Sequence, residues 1–218
     1  MRVSVPKNYL LAVLDMLKKG RSKEEEFRYP LFVDYKGMLC LCGIQTCGAM
    51  IFRLARTNSE DLRVWQLQDH IASLIALVRE TSGTTATLDT TAGLLFCFAA
   101  FTLTAVVEDS STHTCVKSVF SLVQQQDAGL LPSGFPFTSR QFMLEPFLPG
   151  KWIKQRKEPV FKIFSNGYAT SPRIIFCADD PRYMGIVMPL VGEDKSNAFY
   201  NKTFAKLRAE FFGEESHD

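Results

Sequence analysis

Thr90-Thr91-Ala92-Gly93-Leu94-Leu95-Phe96-Cys97-Phe98-Ala99-Ala100-Phe101-Thr102-Leu103-Thr104-Ala105-Val106-Val107 runs for eighteen residues without a charge, and no other stretch of the chain is as apolar. It is either the buried centre of a folded domain or a membrane segment, and that choice decides the class of protein. A spanning helix needs about 20 predominantly apolar residues. This run is borderline in length, carries four threonines and a glycine, and is flanked by Asp89, Glu108 and Asp109. No Lys or Arg stands near either end to anchor or orient a span. We read it as core and expect no transmembrane segment. Its Phe, Thr and Val favour strand for at least the second half. Ala92, Ala99 and Ala100 leave helix open for the rest, because short apolar runs do not separate the two periods.

Upstream of the run, Asn58 or Ser59 is placed to cap a helix whose first turn holds Glu60 and Asp61. Val64, Leu67, Ile71, Leu74, Ile75 and Val78 then follow helical spacing up to Gly83. Residues 27–35 and 38–54 read as extended, with a turn at Lys36-Gly37 and interruptions at Gly43 and Gly48. Leu10, Leu11, Val13, Leu14 and Leu17 put a helix over 7–19. Downstream, 113–126 reads as helix, ended by Gly129 and Pro132. Pro132, Gly134, Pro136, Pro146, Pro149 and Gly150 then interleave with Phe135, Phe137, Phe142 and Phe147. Prolines at that density exclude long regular elements, while the aromatics mark a packed arm. Strand patterns follow at 160–164, 173–177 and 183–190, and a last helix at 196–212.

Helices and strands mix without βαβ regularity, which predicts an α+β fold: mixed helices and mostly antiparallel strands around one core, with a Pro/Phe-rich arm. The expected organisation is an N-terminal core over 1–131, the arm over 132–150, and a basic, strand-rich segment with the C-terminal helix over 151–218, packed on the same core. No internal repeat is visible.

A chain of 218 residues buries a core without metal or disulfide staples. Eighteen phenylalanines against two tryptophans and six tyrosines make that core Phe-heavy. A net charge of +2 sets up no global field, so electrostatic arguments rest on local clusters. The start of the chain lacks the basic region, apolar run and cleavage site of a secretory signal. An intracellular, reducing setting is expected, with the six cysteines mostly thiols.

Cys40-Leu41-Cys42 and Cys47 suggest metal ligands, completed by His113 or Cys115. Zinc sites favour C-x2-4-C pairs, and this spacing is poor, so a buried strand face is the plainer reading. His113-Thr114-Cys115 invites a thiol nucleophile with an adjacent base, but no catalytic signature surrounds it. Asp179-Asp180 precedes Pro181, as at a strand-end turn. No phosphate loop, H-E-x-x-H or G-x-S-x-G occurs. No cofactor is implied.

The best chemical cluster is basic. Lys151, Lys154, Arg156, Lys157 and Lys162 stand against Glu158 alone within twelve residues, beside Trp152, Phe161 and Phe164. Cations that neutralise phosphate next to rings that stack on bases hold single-stranded nucleic acid without reading sequence. The same cations suit anionic lipid headgroups. The expectation is therefore a non-enzymatic, self-associating protein that binds a polyanion, RNA, single-stranded DNA or an anionic membrane surface, in the manner of a viral matrix or nucleoprotein. Lys151, Trp152, Lys154, Arg156, Lys157 and Lys162 would form the site. The alternatives are a protein–protein adaptor without polyanion binding and a thiol- or zinc-dependent enzyme.

Overall fold

Alternation of residue type sets the first strand of the computed structural model. Arg2–Pro6 (β1) exposes Arg2, Ser4 and Pro6 and buries Val3 and Val5. The structure describes residues 1–19, 31–45, 48–66, 71–91, 95–98, 101–104, 106–107, 110–125, 129–130, 161–165, 172–177, 180–187 and 202–213. Helix Lys7–Lys19 (α1) follows β1 and buries Leu10, Val13, Leu14 and Leu17 at helical spacing. Then come Leu31–Tyr35 (β2), Met38–Gln45 (β3) and Gly48–Arg56 (β4). Tyr35 pairs with Met38 across a two-residue turn in which Lys36 and Gly37 both take positive φ, 47° and 74°. That is a type I′ hairpin, whose twist matches the strands it joins.

The same order then recurs. Arg63–Gln66 (β5) leads to helix Ile71–Glu80 (α2), and to Thr85–Asp89 (β6), Leu95–Phe98 (β7) and Phe101–Thr104 (β8). Two βαβββ halves exchange their first strands. β1 of the first half pairs antiparallel with β6 of the second, Val3 opposite Leu88 and Val5 opposite Ala86. β5 of the second half pairs antiparallel with β2 of the first, Phe32 opposite Trp65. The strand orders are accordingly β1-β6-β7-β8 and β4-β3-β2-β5, the latter extended past β5 by Val106–Val107 (β9). The duplication is one of topology, which explains why no repeat shows in the residues. α1 and α2, the equivalent helices, pack on one another. Ile71, Leu74, Ile75 and Val78 are the buried face of α2.

A cation ties the two halves. The Lys7 ammonium donates to the carbonyls of Arg79, 3.1 Å away, and Thr81, and so caps the C-terminal end of α2. The Lys7 backbone N–H donates to the Thr84 carbonyl at 2.8 Å, and Arg79 reaches Asp15 of α1 at 3.2 Å. Lys7→Met should lower stability by about 0.5–1 kcal/mol, with the loss shrinking at high salt because the cap is only partly buried. A chemical-denaturation series at two salt concentrations checks this, and an unchanged midpoint would count against the cap.

The chain divides into two compact units, residues 1–45 with 52–117, and residues 46–51 with 118–218. Helix Ser110–Gln125 (α3) runs from the first division into the second. In the second, Gly129–Leu130 (β10), Phe161–Ser165 (β11), Arg173–Cys177 (β12) and Asp180–Val187 (β13) form an antiparallel meander in sequence order. Its pairing slips between Phe176 and Cys177, opposite the part of β13 that holds Pro181, which has no N–H for a ladder. Phe164 and Phe176 meet edge to face, centroids 6.0 Å apart. Helix Lys202–Phe212 (α4) packs on β13 and buries Leu207, Phe211 and Phe212. Its Arg208 reaches the Gln124 carbonyl in the last turn of α3 at 3.5 Å.

The fold is α+β with antiparallel sheets, as the sequence reading expects. Past the bend at Thr90 and Thr91, the described parts of the uncharged run are strand, β7, β8 and β9. One expectation is corrected. The helix anticipated from Ser59 to Gly83 begins only at Ile71, because Val64, Trp65 and Gln66 are drawn into the sheet beside β2 and buried there. The arm over 132–150 lies outside the described residues.

Candidate interaction surfaces

The helix pair is the first surface. With its apolar side buried, α1 turns Asn8 and Lys18 outward, and α2 exposes Ala72, Ser73, Ala76, Arg79 and Glu80. The exposed positions are short side chains together with Lys18, Glu80 and an Arg79 already paired with Asp15 at 3.2 Å. The second surface is the edge of β8 that no other described strand pairs with, at the end of the order β1-β6-β7-β8. The end of a sheet presents backbone donors and acceptors that another strand can meet.

Two carboxylates show how the first unit uses its charges. Asp89, at the end of β6, accepts from the Thr91 hydroxyl at 2.6 Å, the Arg2 Nε at 2.8 Å and the Thr91 N–H at 3.0 Å. Those bonds, the Thr91 hydroxyl foremost, hold its pKa well below the usual carboxylate range. Asp34 behaves in the opposite way. It is 2% exposed in β2, and Thr57 donates its hydroxyl to it at 2.7 Å. Burial raises its pKa, against the pull of Thr57 and of Arg63, its register partner on β5. The bond to Asp34 helps fix the β4–β5 connection, where Gly37 donates to the Ser59 carbonyl at 2.8 Å and accepts from the Thr57 N–H at 2.7 Å.

A raised folded pKa means that the fold favours protonated Asp34. Its contribution is fully present below the unfolded value, about 3.9, and is lost as pH rises through the folded one. Asp34→Asn keeps an acceptor for Thr57 and removes the titration. The stability of Asp34→Asn relative to the native chain should therefore improve as pH rises from about 4. Urea midpoints measured across that range test it, and a difference that is flat or runs the other way would remove the assignment.

Cys40 and Cys42 share a face of β3 two residues apart, both fully buried, and burial pushes both thiols up. They are core side chains, away from solvent and any incoming ion. Cys47 lies outside the described residues. Cys115 is half-buried on α3. Among the described residues no group of three or more His, Cys, Asp or Glu is placed to hold a metal, and no helix is long and apolar enough to cross a membrane.

Of the six residues expected to bind a polyanion, Lys151, Trp152, Lys154, Arg156 and Lys157 lie outside the described residues. Lys162 is on β11, opposite Phe176 of β12. The helix pair and the β8 edge were missed by the sequence reading. The only sequence signals for them were the amphipathic spacing of 7–19 and the strand-rich second half of the uncharged run.

No family model matches the chain, and no curated protein matches it. Solved structures do. The DNA polymerase III subunit beta of Pseudomonas aeruginosa is similar at a TM-score of 0.54 and 10% identity, over 88% of this chain and 66% of that one. The beta clamp of Helicobacter pylori, bound to a DNA ligase peptide, is similar at 0.53 and 12% identity, over 89% and 68%. The beta subunit from the DNA polymerase of Streptococcus pyogenes is similar at 0.55 and 8% identity, over 89% and 66%. The chain thus spans about two thirds of the length of these neighbours. At such identities the likeness is one of fold, and the fold is that of the sliding clamps.

That finding overturns the expectation of a matrix- or nucleoprotein-type polyanion binder, and the anionic-membrane partner goes with it. Local basicity is a property of a surface, and it could not say which architecture carries that surface. The protein-interaction alternative agrees better with a clamp-like fold.

Proposed function

We propose that the chain is a clamp-like scaffold that turns over no substrate, associates with further copies of itself and with duplex DNA, and holds other proteins near that DNA. The observation that carries the reading is the strand-exchanged pair of βαβββ halves, in a fold similar to sliding clamps over 88–89% of the chain. One such neighbour is bound to a DNA ligase peptide, and the proposal takes from it a peptide segment of a DNA-processing protein as the partner class. Work on DNA would put the chain inside the cell.

Holding duplex DNA without regard to sequence takes cations for phosphates and a surface that need not enter the grooves. The exposed Lys18 of α1 and the short exposed side chains of α2 support such a contact. Lys151, Trp152, Lys154, Arg156, Lys157 and Lys162 are proposed to add phosphate contacts from the second unit. Anisotropy of a labelled duplex titrated with the chain at low salt is the test, on two unrelated sequences. Comparable affinity on both, falling steeply with salt, is expected, with the DNA left chemically unchanged. No association with either duplex would end the DNA part of the reading. It would leave the adaptor reading, which the small net charge of +2 favours.

Self-association is assigned to the outer edge of β8. A lysine on an edge strand opposes pairing with another strand. Thr102 and Leu103 are neighbours on β8. Thr102→Lys and Leu103→Lys should each shift the sedimentation profile toward monomer, in whichever variant keeps the native circular dichroism. Unchanged assembly in a folded variant would exclude the β8 edge.

A further inference from the structure

We draw no further inference here: the strongest candidate, the corner at the end of β6 where Arg2 and Arg63 converge on Asp89, Thr90 and Thr91, turns its cations onto the chain's own Asp89 and Asp34 carboxylates and holds nothing that points to a ligand.

Discussion

Lys154→Glu, Arg156→Glu and Lys157→Glu together should weaken duplex DNA binding by about a hundredfold or more near 0.1 M salt, and lower the salt slope of the affinity by about three. Each cation that meets a phosphate releases counterions. Removing three such contacts therefore flattens the dependence on salt as well as the affinity itself. Reversal adds repulsion from the new carboxylates, so the loss should exceed that of three alanines. The effect should be equal on unrelated duplexes, because phosphates carry no sequence information. Circular dichroism of the variant guards against a trivial loss of fold. If native and variant chains bound duplex with the same affinity and slope, the basic run would have no part in DNA contact. A clamp-like scaffold would then have to rely on the helix pair alone. Binding of RNA or anionic vesicles in place of duplex would also count against the reading.

Gly185→Ala should destabilise the chain by about 1–3 kcal/mol, with a lowered denaturation midpoint. Gly185 and Tyr183 point to the same face of β13, and the Tyr183 ring lies over the glycine. A Cβ added at Gly185 would stand 2.7 Å from the Tyr183 hydroxyl oxygen, 3.3 Å from its Cζ and 3.4 Å from the Ile175 Cβ. Tyr183 is fully buried, so its ring cannot swing into solvent without losing that burial. Gly185→Ala combined with Tyr183→Phe removes the nearest colliding atom and should recover part of the loss. A single alanine variant as stable as the native chain would show that the ring moves freely, contrary to its packing.

Local pattern alone was enough for some elements. The spacing of Leu10, Val13, Leu14 and Leu17 marked α1 along its whole length, since one apolar stripe on a polar helix has a single way to be buried. Lys36-Gly37 marked the β2–β3 turn because two successive positive φ values ask for glycine at one of them. Cys40 and Cys42 alternate on β3 and both are buried. Elsewhere the pattern misled. Val64 fits the helical stripe of Ile71, Leu74 and Val78 equally well, yet it belongs to β5. The deciding partner is β2, some thirty residues earlier, and a local period cannot register a contact at that distance. The repeated βαβββ was hidden for a related reason. It consists of strand order and exchange, and two halves with unlike residues meet it equally well.

The site divides in the same way. The basic run was legible because charge is written in the residues, whereas its setting was not. The helix face and the β8 edge exist only once the sheets have formed. Composition and periodicity by themselves pointed to an α+β protein with an uncharged centre whose second half favours strand, a pair of core cysteines at 40 and 42, and one concentrated basic segment. Tertiary structure decided the exchange of β1 and β5 between halves and the joining of α1 and α2. It also raised Asp34 and lowered Asp89, two residues of the same type in one unit. The physical reason is that sequence records what each side chain prefers, while pairing partners, desolvation and sheet edges arise between residues that only folding brings together.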